Sequence, residues 1–139
     1  MKAGFSLIEL LIVLSVISAL GATMIPAVGS WHKRHALMLE GEKLRLFLER
    51  ARLVALTHDS TIAVRFKPPQ LIATTTTTTP LFSYTPRSGI SIKNRGEELK
   101  PVIFYATMTS TPTTLILSTR NAECAVVVSL RGRIRNGCL

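Results

Sequence analysis

The residues of this chain best suited to hold a ligand lie near its carboxyl end: Gly132-Arg133-Ile134-Arg135, with Arg131 directly before. A guanidinium presents its donors as a planar fork that matches phosphate oxygens two at a time, so three on one short segment suit a nucleic-acid backbone. In an extended chain Arg133 and Arg135 point to one face while Ile134 turns to the core. Gly132 permits a tight bend or the close approach of a ligand backbone. The stretch from Ser129 to Gly137 reads as a hairpin or turn at the end of a strand. The competing reading is a solvated or salt-bridged surface, and composition alone favours it. No aromatic is interleaved for base stacking and no helix reads base edges, so any DNA binding here should be backbone-driven and sequence-independent.

Other chemistry is sparse. No nucleophile–base pair, glycine-rich phosphate loop or paired acid cluster appears, and Glu97-Glu98 after Asn94-Arg95-Gly96 reads as a loop. His58-Asp59 stands where a helix should end, and Asp59 or Ser60 shapes that turn. Two cysteines, Cys124 and Cys138, do not make a metal site by themselves. The expectation is a non-enzyme with no cofactor and no metal.

The elements that must position these residues follow from composition. At 139 residues there is room for one domain. Seventeen Lys and Arg against 8 Asp and Glu give a net charge of +9, yet only 18% of residues are charged and 47% are hydrophobic. Mean hydropathy is +0.33 and the pI about 10.4. A disordered basic tail is excluded, and an ordinary soluble enzyme is disfavoured. The positive excess favours polyanionic partners.

The apolar excess sits at the front. Residues 5–28 hold one charge, Glu9. As a helix at ~1.5 Å per residue they span about 36 Å, enough for a hydrocarbon core of about 30 Å. A cleaved secretory signal would have a shorter apolar core and a small-residue site after it. Lys2 on one side and Lys33-Arg34 on the other leave orientation undecided by charge. Glu9 would cost about 2.5–3.5 kcal/mol at a bilayer centre, so it either reaches headgroups or has a cationic partner. Pro26 removes a helix hydrogen bond and predicts a kink near Ala22.

Gly4-Phe5-Ser6-Leu7-Ile8-Glu9 followed by an unbroken apolar run resembles the processing motif of type IV pilins and type II secretion pseudopilins. The resemblance implies cleavage between Gly4 and Phe5 by a prepilin peptidase, then methylation of the Phe5 amine. It implies that Glu9 meets the amine of a neighbouring subunit during assembly. It also implies an inner-membrane protein with Lys2 in the cytoplasm and the head in the periplasm, later part of a filament at the cell surface. The His32/His35 pair beside Lys33 and Arg34 then reads as a headgroup-level or filament-facing feature rather than a metal pair.

Four segments result: a leader at 1–4, a membrane or filament-core helix at 5–28, an amphipathic helix at 29–59 and a β-rich head at 60–139. Leu37, Gly41, Leu44, Leu48, Ala51 and Ala55 recur at three- and four-residue steps as a stripe for packing. Glu40, Glu42, Lys43, Arg45, Glu49, Arg50 and Arg52 are read as lying mostly off it. Strands are expected at 61–66, 71–77, 81–84, 89–92, 102–106, 113–118 and 125–130, with Pro68-Pro69, Pro80, Pro86, Gly96 and Pro112 between them. The threonine run 74–79 favours a strand, with an exposed loop as the alternative. The fold class is α+β, a type IV pilin-like fold whose long N-terminal helix packs on a small antiparallel head of one sheet or two.

On the oxidising side of the membrane an even cysteine count favours a Cys124–Cys138 disulfide, with two free thiols the alternative. Closing a 15-residue loop would stabilise by about 3 kcal/mol. The long helix, β head and late G-R-x-R further resemble GspH/FimT-type minor pilins and pseudopilins. In FimT-like members of transformable bacteria this motif is associated with incoming DNA. The resemblance implies that Arg131, Gly132, Arg133 and Arg135 bind DNA for uptake in natural transformation, with other major and minor pilins as partners. The alternative is a structural subunit of a pilus or secretion system without DNA binding. The middle of the chain departs from the pattern, lacking a Trp-Gly segment found in many relatives.

Overall fold

The computed structural model describes residues 6–75, 79–95, 100–120 and 122–138, with the backbone alone at 21–30 and Lys33. A helix, α1 (Leu7–Thr57), is followed by eight strands: β1 (Ile62–Lys67), β2 (Gln70–Thr75), β3 (Pro80–Tyr84), β4 (Ser91–Asn94), β5 (Val102–Phe104), β6 (Thr113–Ser118), β7 (Glu123–Val128) and β8 (Ile134–Asn136). The chain divides into two compact units, 1–35 and 36–139.

In the first unit the side chains of 6–20 are all exposed, and apart from Ser6, Glu9, Ser15 and Ser18 they are apolar. The hydroxyls of Ser15 and Ser18 donate to the carbonyls of Ile12 and Leu14, each at 2.7 Å. Back-bonding of this kind satisfies a serine hydroxyl within the helix itself. Among the described residues no helix is long and apolar enough to cross a membrane. Of the expected span 5–28, Phe5 and the side chains of 21–30, Pro26 included, lie outside the described residues. Trp31 stacks on His35 at 5.3 Å between ring centroids and meets His32 edge-on at 5.5 Å.

The second unit is built on the stripe. Leu37, Gly41, Leu44, Leu48, Ala51 and Ala55 are all buried, joined by Phe47. Glu42, Arg45 and Glu49 sit beside the stripe and pair along the helix, Arg45 Nη2 lying 2.6 Å from Glu42 Oε1 and Nη1 against Glu49. The helix ends at Thr57, as the turn residues suggest. Asp59 adopts φ 44° and the Ser60 amide donates back to the Ala55 carbonyl at 3.1 Å, a left-handed cap that closes the last turn.

Two four-stranded antiparallel sheets follow, ordered β3-β2-β1-β5 and β4-β6-β7-β8. The inner faces carry Ile62, Val64, Leu71 and Val102 from the first sheet and Leu115, Leu117, Val126 and Val128 from the second, and all of them enter one core with the helix stripe. Pro80, expected between strands, instead begins β3, an edge strand where its missing N–H costs no ladder bond. Thr74 and Thr75 belong to β2, while 76–78 of the threonine run lie outside the described residues, as do Gly96 and Glu97-Glu98.

Glu40 departs from its expected place off the stripe: it is 3% exposed. Its carboxylate is satisfied there, accepting from the Tyr84 hydroxyl and from Lys43 Nζ, both at 2.7 Å. Burial pushes the Glu40 carboxyl up, but the bonds from Lys43, Tyr84 and the Arg87 backbone outweigh it and hold the group below its ordinary value. Burial, helped by the same pairing, pushes the Tyr84 hydroxyl well up.

Candidate nucleic-acid interface

The arginine segment hangs on a closed hairpin. β7 and β8 pair antiparallel, with Val126, Val127 and Val128 opposite Asn136, Arg135 and Ile134. Between them the Gly132 amide donates to the Ser129 carbonyl and the Ser129 amide to the Arg133 carbonyl, both at 2.9 Å. The Arg133 amide adds a bond to Ser129 Oγ at 3.1 Å. A second loop clamps the turn from outside. The Ser110 amide donates to the Leu130 carbonyl at 2.9 Å and its hydroxyl to the Ser129 carbonyl at 2.7 Å.

Gly132 has φ +69°, a left-handed conformation that side chains disfavour. The close neighbours here are the protein's own: a Cβ would lie 3.1 Å from both Arg52 Nε and the Met108 carbonyl oxygen. Gly132 is buried, so its part is to shape the turn rather than to lie against a ligand. Arg52 Nε is buried and has no hydrogen-bond partner among the described residues.

Around that turn Ile134 is buried, whereas Arg131, Arg133 and Arg135 are exposed. Among the described residues none of the three arginines is in an ion pair, in contrast to Lys43 and Arg45, which Glu40, Glu42 and Glu49 neutralise. Arg50 is also engaged, lying 4.6 Å over the Phe82 ring. Arg120 sits in the β6–β7 connection at the opposite end of β7 and does not join the cluster.

The tail beyond β8 is anchored by the Cys124–Cys138 disulfide, with a Cα separation of 4.6 Å. The helix meets it at Gly41, where a Cβ would collide with Cys138 Sγ and stand 2.8 Å from Cys124 Sγ. Asn136 completes the anchor: its Oδ1 accepts from the Cys138 amide at 3.2 Å and its Nδ2 donates to Glu42 at 3.4 Å. The need for glycine at 41 was not visible in the periodicity, where it stood as one more small stripe residue. Gly4 and Phe5 lie outside the described residues. Glu9 is exposed in the first turn of α1.

A long amino-terminal helix followed by two antiparallel sheets is the fold of type IV minor pilins and pseudopilins. Residues 1–25 match the family model of the prokaryotic N-terminal methylation motif. Among solved structures the chain is similar to the type IV minor pilin FimU of Pseudomonas aeruginosa, with TM-score 0.64 and 20% identity over 76% of this chain and 91% of that one. It is similar also to the minor pseudopilin EpsH of the Vibrio cholerae type 2 secretion system, with TM-score 0.60 and 14% identity over 72% of this chain and 94% of that one. No curated protein sequence matches it.

Proposed function

We propose that this chain is a minor type IV pilin whose head binds DNA through the phosphodiester backbone, for uptake in natural transformation. The observation that carries the reading is the hairpin at 129–136. It presents Arg131, Arg133 and Arg135 exposed and outside any ion pair among the described residues, on a turn held by backbone and Ser110 hydrogen bonds. Three guanidiniums on a rigid edge suit phosphates, and nothing on that edge reads bases. The chain is inserted in the inner membrane by 5–28 with its head in the periplasm. A prepilin peptidase cuts between Gly4 and Phe5 and the Phe5 amine is methylated. Glu9 then pairs with a neighbouring subunit's amine as the chain joins other pilins.

A second reading, a structural subunit that contacts pilins alone, is favoured by the likeness to EpsH, a pseudopilin of a secretion system. A mobility shift with random-sequence duplex separates the two. The full chain in neutral detergent should retard the duplex at low salt, and Arg133→Gln with Arg135→Gln should abolish most of the shift. Binding unaffected by that pair of substitutions excludes the arginine hairpin as the site.

A further inference from the structure

Register across the second sheet brings together cations that lie far apart in sequence. Its outer face can be read row by row from the pairing. Thr114 stands opposite Val127 and Val127 opposite Arg135. On the other side the Arg95 amide donates to the Thr114 carbonyl at 3.1 Å, which extends the β4–β6 register by one residue. Arg95, Thr114, Val127 and Arg135 therefore form one row across all four strands. The next row on the same face begins with Lys93, opposite Ile116 and then Ala125. In the other direction Arg133 follows Arg135 at the two-residue step that keeps a side chain on one face.

Lys93, Arg95, Arg133 and Arg135 are all exposed, and none is in an ion pair among the described residues. The residues between the flanking cations, Thr114, Val127, Ile116 and Ala125, are short and uncharged. The acid described on this face is Glu123, opposite Ser118. It is two residues along β7 from the Lys93 row and four from the Arg135 row, about 7 and 13 Å at ~3.3 Å per residue. With strands ~4.8 Å apart, Arg95 and Arg135 are separated by about 14 Å, the rise over which one strand of B-DNA carries about four phosphates. No aromatic stands in these rows, so the face offers no stacking platform for unpaired bases.

We infer that the outer face of the β4-β6-β7-β8 sheet is a cationic bed for duplex DNA, in which Lys93 and Arg95 hold the backbone at one edge while Arg133 and Arg135 hold it at the other. This rests on the proposed DNA-binding function and extends it from a four-residue motif to a surface. Duplex DNA is the occupant because phosphate contact alone is on offer, and single strands need stacking to be held well.

The test uses the full chain in neutral detergent, a fluorescent random-sequence 20-base-pair duplex, and affinity measured against salt. Lys93→Gln with Arg95→Gln should weaken binding about tenfold at low salt and reduce the log–log salt slope by about 2, at ~0.9 for each phosphate no longer neutralised. Arg65→Gln with Lys67→Gln, on the other sheet, should change neither. As a readout needing no variant, duplex should protect Lys93 from amine acetylation in the unaltered protein and leave Lys67 reactive. A single strand of equal length should bind more weakly. If Arg133→Gln with Arg135→Gln weakens binding but the Lys93/Arg95 pair leaves affinity and slope unchanged, the extended face is wrong and the hairpin site stands. If the unaltered protein binds no DNA, the underlying function is wrong. Single strands binding more tightly than duplex overturn the assignment of the occupant.

Discussion

Gly41→Ala puts a methyl group where the helix meets the disulfide, and two opposing effects fix its outcome. Replacing a mid-helix glycine by alanine ordinarily stabilises by about 1 kcal/mol. Here the added Cβ would collide with Cys138 Sγ, stand 2.8 Å from Cys124 Sγ and 3.1 Å from Asn136 Oδ1. The sulfurs are tied to two strand ends and cannot swing aside as a flexible side chain would, so overpacking of about 1–3 kcal/mol applies. Displacing the bridge also threatens the roughly 3 kcal/mol that closing the loop confers. Overpacking less the propensity gain leaves a net loss of up to about 2 kcal/mol. For a unit of this size that lowers Tm by up to about 8 °C. Thermal unfolding followed by circular dichroism measures it, and a double-mutant cycle isolates the cause. In a Cys124→Ala/Cys138→Ala background the collision is gone, so Gly41→Ala should then be neutral or stabilising by about 1 kcal/mol. A Gly41→Ala protein more stable than the parent with the disulfide intact refutes the reasoning.

Three further outcomes follow from the same structure. Gly132→Ala forces a side chain into φ +69° against Arg52 and Met108; it should destabilise by about 1–2 kcal/mol in denaturant titration, and a neutral result removes the constraint placed on that turn. Glu40 has a carboxyl held below its ordinary value in the folded state, so its contribution is present above the unfolded pKa and is lost as pH falls through the lower folded one. Unfolding free energy measured across acidic pH should therefore fall less steeply in Glu40→Gln than in the parent, and parallel curves would contradict the pairing with Tyr84 and Lys43. Glu9→Ala should leave membrane fractionation unchanged while reducing recovery in sheared filaments, and normal recovery counts against a role in assembly.

What could be read from the residues alone depended on how local the cause was. The stripe from Leu37 to Ala55 was legible because helical periodicity is a property of neighbours three and four apart. The helix end at Thr57 was legible in the same way, from the turn residues at 58–60. Glu40 was not, because a glutamate among charged neighbours reads as solvated until Tyr84, 44 residues on, is folded against it. The stretch holding β8 reads as a hairpin or a turn in the sequence, and the choice between them is left open because three residues make a strand only by virtue of β7 alongside. The arginine hairpin was visible as a motif, and its alternation about Ile134 followed from extended geometry. The proposed continuation to Lys93 and Arg95 was invisible: strand order and register in β4-β6-β7-β8 alone set Arg95 across from Arg135 and Lys93 in the neighbouring row.

In the proposed function, phosphate contacts by exposed head cations hold DNA. The most direct test is the salt dependence of duplex binding by the full chain, compared with a variant in which Arg131, Arg133 and Arg135 are all glutamine. Log affinity should fall linearly with log salt in the parent, and the slope should be smaller in magnitude by about 2.7 in the variant, at ~0.9 for each of three phosphates. The same slope in both proteins would contradict it.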